Sequence, residues 1–91
     1  MTHKIIGYAF ADSNNSLYIE KQIEAIKNSL SNLDIELSDE TDSRLISHFG
    51  ENIKLPAYIC YKHNKFKDQI IGKFQTDYVI NWISNIHGLN A

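Results

Sequence analysis

A single cysteine, Cys60, is found among the 91 residues, which excludes an internal disulfide and suits a protein made in a reducing compartment. No apolar run approaches membrane-spanning length, and Met1-Thr2-His3-Lys4-Ile5-Ile6-Gly7 lacks the apolar stretch of a signal peptide. The expectation is a cytoplasmic protein with no membrane partner. Charge of neither sign dominates: nine Lys and Arg against eleven Asp and Glu leave a formal −2. That balance gives no general attraction to phosphate backbones, so nucleic acid is not an expected partner unless the fold assembles a local basic patch. The four histidines, His3, His48, His63 and His87, lack paired metal-ligand spacing, so neither a metal nor a cofactor is expected. Repeats, linkers and low-complexity tracts are absent too, and residues 1–91 read as one domain that buries roughly 60% of its unfolded surface.

The hydrophobic content, 43%, is that of an ordinary globular chain. Residues 4–11 form a nearly continuous apolar run, the pattern of a strand covered on both faces. Asp12-Ser13-Asn14-Asn15-Ser16 supplies turn and N-cap residues, after which Ile19, Ile23, Ile26, Leu30 and Leu33 recur at helical spacing. Ile35 and Leu37 alternate with polar residues as a short strand. Asp39 to Ser43 then caps a brief helix carrying Leu45, Ile46 and Phe49, which Gly50 ends. Short links in this order imply a right-handed parallel crossover. From Pro56 the pattern turns antiparallel: Ala57 to Tyr61 is strand-like, Lys62-His63-Asn64-Lys65 can turn, and Phe66 to Ile71 returns. Gly72 breaks that strand, Thr76 is placed to cap a last helix, and Val79, Ile80, Ile83 and Ile86 give the helix one apolar face.

This α/β order, βαβαββα with a proline directly before the third strand, resembles the thioredoxin-like superfamily across nearly the whole chain. The features that carry the resemblance are Leu55-Pro56, the turn Tyr61-Lys62-His63-Asn64-Lys65-Phe66, Gly72, the pair Trp82-Ile83, and Leu45 to Gly50 as the second helix with its glycine. The resemblance implies a central mixed sheet flanked by helices and a cis peptide before Pro56. It also places Ser13 and Ser16 near the two redox-cysteine positions, so that Ser13-Asn14-Asn15-Ser16 stands where the family carries its CxxC motif. A serine hydroxyl yields no thiolate at neutral pH and forms no disulfide. The buried acid that the family places in its first strand has no counterpart among Gly7 to Ala11. The resemblance therefore implies a degenerate member in which dithiol–disulfide exchange is not expected.

With no base nearby in sequence, Ser13 and Ser16 read as helix caps rather than nucleophiles. Cys60, inside a strand between Ile59 and Tyr61, reads as a core residue. Lys62, Lys65, Lys67 and Lys73, interleaved with His63, Phe66 and Phe74, read as solvated lysines blunting a sheet edge. Helical spacing leaves open whether Phe74, Tyr78 and Trp82 complete the core or form an interface.

The function expected is that of a non-catalytic protein-binding or structural module, an accessory subunit of a larger assembly. The resemblance implies a partner surface at Asn14, Asn15, Leu55, Pro56, Ile71, Gly72 and Lys73, where another protein or an extended peptide would dock without any catalytic residue. Richness in Ile, Asn and Lys fits an AT-rich genome, such as that of a large DNA virus whose virion would package the chain. The alternative from another class is an enzyme, a monothiol or glutathione-linked redox protein using Cys60.

Overall fold

The computed structural model describes residues 3–30 and 33–87. Their elements run β1 (His3–Tyr8), α1 (Asn14–Ser29), β2 (Ile35–Ser38), α2 (Ser43–Phe49), β3 (Ala57–Lys62), β4 (Lys65–Ile71) and α3 (Thr76–His87). The four strands form one sheet in the order β2-β1-β3-β4. β1 pairs in parallel with β2, Ile5 beside Ile35, and antiparallel with β3, Ile5 beside Cys60. The expected order of elements and the mixed sheet are both present, and the Leu55–Pro56 peptide is cis.

Alternation along β1 separates two cores, as the double-sided apolar run required. Ile5 joins Ile35, Tyr58 and Cys60 beneath Ile19, Ile23 and Ile26 of α1 and Val79 and Ile83 of α3. Ile6 and Tyr8 face the other way, onto Ile59, Tyr61 and Leu45 of α2. Each isoleucine fully buried here contributes about 1.5–3 kcal/mol relative to an exposed one. Gly7 has no room for a side chain: an added Cβ would lie 2.9 Å from Ile19 Cγ2 and from Tyr58 Cε1.

Three boundaries differ from the sequence reading. β1 stops at Tyr8, and Phe10 and Ala11 lie in the exposed link to α1. α1 ends at Ser29 because Leu30 turns extended while its N–H closes the last bond to Ile26 O at 2.8 Å; Leu33 packs on the core from outside the helix. Thr76 is the first residue of α3 rather than its cap, and the first-turn bond runs from Val79 N–H to Gln75 O. The other two signals appear as expected. Asp42 caps α2 by accepting from Arg44 N–H, and Gly50 ends the helix at φ 65°.

Candidate functional site

The connections at one end of the sheet bring the expected surface residues together. Phe10 to Ser13 leave β1 there, α1 begins there, Pro56 opens β3, and Gly72 closes β4. Gly72 N–H donates to Pro56 O at 2.8 Å, tying the loop after β4 to the cis peptide. Gly72 has φ 125°, a conformation that side-chain-bearing residues rarely adopt. Asn14 is exposed and Asn15 half-buried, Leu55 is half-buried, and Ile71 and Lys73 are exposed. Pro56 departs from the expected set: its ring is buried, so it shapes this surface from beneath.

The serine positions hold no nucleophile–base pair. Ser13 occupies the N-cap position, but its hydroxyl donates back to Phe10 O at 2.7 Å and makes no capping bond; Ser16 lies inside the first turn, its N–H on Ser13 O at 3.1 Å. Side-chain capping by these serines, as expected from sequence, is therefore replaced by a link between the cap and the end of the preceding loop. Phe10, Leu17 and Ile71 add exposed apolar surface at this end of the sheet.

Cys60 lies away from this surface, in β3 opposite Ile5 and Asp68, and is fully buried. Burial, followed by the Asp68 carboxylate, pushes its thiol up to about 11. A thiol held there is protonated at neutral pH and out of reach of a disulfide.

One buried and one half-buried polar cluster went unread in the sequence. Gln22 sits on the apolar face of α1, almost fully buried, where its Nε2 donates to Phe74 O at 2.8 Å and its Oε1 accepts from Tyr58 Oη at 2.8 Å. Tyr18 Oη donates to the same Phe74 carbonyl at 2.6 Å. The loop bearing Gly72 and Lys73 is thus clamped to α1 and β3 together. Lys73 Nζ lies 4.5 Å from the Tyr18 ring centre, a cation–π contact. On the opposite side of the sheet, Asp42 accepts from Ser38 Oγ at 2.9 Å and Tyr8 Oη at 3.3 Å while pairing with Arg44 at 2.8 Å. Hydrogen bonds from Arg44 outweigh burial and hold the Asp42 carboxyl well below the usual carboxylate range. Gln22 had a signal in the sequence: spaced three from Ile19 and four from Ile26, it interrupts the apolar stripe with a polar group that needs partners inside.

The aromatics left open in the sequence divide. Phe74 and Trp82 pack against the core, whereas Tyr78 is half exposed and stacks on Phe74 with ring centres 4.6 Å apart. Among the described residues no group of three or more His, Cys, Asp or Glu is placed to hold a metal ion, and no helix is long and apolar enough to cross a membrane.

No family model matches this sequence, and no curated protein does either. Solved structures do resemble it. A mutant thioredoxin from Halobacterium salinarum NRC-1 superposes with a TM-score of 0.74 at 12% identity, over 92% of this chain and 74% of that one. The oxidised thioredoxin from Plasmodium falciparum gives 0.72 at 12% identity, over 93% of this chain and 81% of that one. Thioredoxin 1 from Thermosipho africanus TCF52B gives 0.69 at 17% identity, over 96% of this chain and 97% of that one. Shared backbone geometry at such low identity speaks for architecture rather than activity, and on it the chain has the thioredoxin-like fold.

Proposed function

We propose that this chain is a non-catalytic thioredoxin-like binding module, an accessory subunit of a larger assembly that holds a polypeptide partner on the face around Asn14, Asn15, Leu55, Ile71, Gly72 and Lys73, with Pro56 beneath it. The observation that carries this reading is the location of the one thiol. Cys60 is sealed in the core, while the face where a redox thiol would be useful presents Ser13 and Ser16. What that face does offer is exposed apolar area from Phe10, Leu17 and Ile71 beside the backbone at Gly72, a combination suited to an extended segment.

The test pairs two measurements on the whole chain. Reduction of a disulfide substrate by dithiothreitol should proceed no faster with the protein than without it. Affinity capture with the wild type as bait should recover a partner that Ile71→Glu and Lys73→Glu variants lose. Recovery of the same proteins by all three baits would sink the proposed face, and accelerated disulfide reduction would restore the redox alternative.

A further inference from the structure

β2 forms one edge of the sheet, with β1 as its neighbour on the other side. Ile5 N–H reaches Asp34 O at 2.8 Å and Ala9 N–H reaches Ser38 O at 3.2 Å, so Asp34, Glu36 and Ser38 turn their main chain toward β1. Strand alternation then turns the N–H and C=O groups of Ile35 and Leu37 outward, to the open side. Among the described residues no hydrogen bond engages them there. The other edge, β4, is guarded: it carries Lys65 and Lys67 and a register shift opposite Cys60 and Tyr61, devices that deter pairing with another strand. β2 carries neither lysine nor bulge.

Side chains give the open edge a chemistry of its own. Ile35 and Leu37 project to the α1 side, where they join Ile23 in lining a groove of about 420 Å³. Ile23 and Ile35 are buried, but Leu37 is 37% exposed, since no strand lies beyond β2 to cover it. Glu20 and Glu24, one helical turn apart on α1, stand along the rim, and Lys27 is the lysine of the lining. Glu36 belongs to the lining too, but it is matched by Lys4 and Arg44 at 3.5 and 3.2 Å. Glu20, Glu24 and Lys27 enter none of the ion pairs among the described residues. An apolar floor is thus bordered by two unmatched carboxylates against one ammonium.

We propose that the β2 edge takes an extended basic segment of another protein as a fifth strand, its main chain bonded to Ile35 and Leu37 and its alternate Lys or Arg side chains laid in the groove. Such side chains suit the groove because the aliphatic stem covers Ile23 and Leu37 while the charged head reaches Glu20 or Glu24. Main-chain pairing supplies the affinity, and the rim carboxylates choose the sign of the partner. An acidic strand would meet the same carboxylates unfavourably. A second copy of this chain, paired antiparallel with Ile35 opposite Leu37, would set Glu36 against Glu36 and bring two acidic rims together, so charge favours a basic partner over a dimer. The edge shares no residue with the docking face around Ile71 and Lys73, and stands or falls independently of it.

Fluorescence anisotropy with the whole chain and a labelled peptide of alternating lysine and threonine tests this. The peptide should bind saturably at low salt and weaken as salt rises, because exposed ion pairs are screened. The Glu20→Lys, Glu24→Lys double variant should weaken binding about fivefold or more. Both positions are exposed, so the variant keeps its fold, which far-UV circular dichroism checks. A fully N-methylated version of the peptide should not bind, since it lacks the N–H groups that an added strand donates. Absence of binding at low salt overturns the proposal, as does unchanged affinity in the double variant. Equal binding of the N-methylated peptide, or of a glutamate–threonine peptide, overturns it as well. A homodimer in sedimentation that Leu37→Lys dissolves would assign the edge to a second copy and overturn it too.

Discussion

Tyr58 donates its hydroxyl proton to the Gln22 carboxamide oxygen across 2.8 Å of interior, joining the strand that follows the cis peptide to the middle of α1. The opposite end of the same carboxamide holds the carbonyl of Phe74. One buried side chain thereby fixes two walls of the proposed docking face, the β3 strand and the loop after β4. Its partner Tyr58 is kept protonated by burial, which pushes its hydroxyl above the ordinary range, so Tyr58 remains a donor throughout neutral pH.

Replacing Gln22 with Leu keeps the volume and the apolar face but leaves the Tyr58 hydroxyl and the Phe74 carbonyl without this partner. The expected cost is about 1–3 kcal/mol for the buried groups left unsatisfied. Urea unfolding should show it as a lower midpoint at unchanged slope. A midpoint equal to wild type would mean that water takes over the role of the carboxamide.

Cys60 should be silent toward a small aromatic disulfide reagent at pH 7 until denaturant is added, and then react fully. Its location in the core and its thiol pushed up to about 11 both predict this. Rapid native modification would contradict the burial and return Cys60 to consideration as a redox group.

Asp42 links folding to pH. Its folded-state carboxyl is depressed, first by hydrogen bonds from Arg44, so its contribution is fully present above the unfolded carboxylate pKa near 4 and is lost as pH falls through the lower folded value. Thermal midpoints should therefore drop between pH about 4 and 2 in the wild type. The Asp42→Asn variant should be less stable at pH 7 and show a shallower acid decline; equal slopes would assign the acid sensitivity to other carboxylates.

Gly7→Ala tests the contact of α1 with the sheet. The new methyl would press on Ile19, Tyr58 and Ile23, at 2.9, 2.9 and 3.0 Å. Overpacking of this kind costs about 1–3 kcal/mol, to be read from equilibrium unfolding. A neutral result would show that α1 can shift outward freely.

Much of the architecture was legible from pattern. The isoleucine stripe of α1, the alternation in β2, Asp42 and Gly50 at the ends of α2, and the hairpin residues His63 and Asn64, both at positive φ, are local signals set by neighbours in sequence. Local signals failed at the ends of elements. Ser13 lost its capping bond to the carbonyl of Phe10, Leu33 left the helical stripe when Leu30 turned extended, and Thr76 moved inside α3.

The sequence by itself determined the order of elements, the absence of an internal disulfide, and the lack of a thiol near the start of α1, because each follows from residue identity or short-range spacing. Only the tertiary structure decided that Pro56 is covered while Ile71 is open, that Gln22 bridges Tyr58 and Phe74, and that Lys62 and Lys67 lie by His3 while Lys73 lies over Tyr18. Those outcomes depend on strand order and register, which bring together residues far apart in the chain through pairings that the sequence does not spell out.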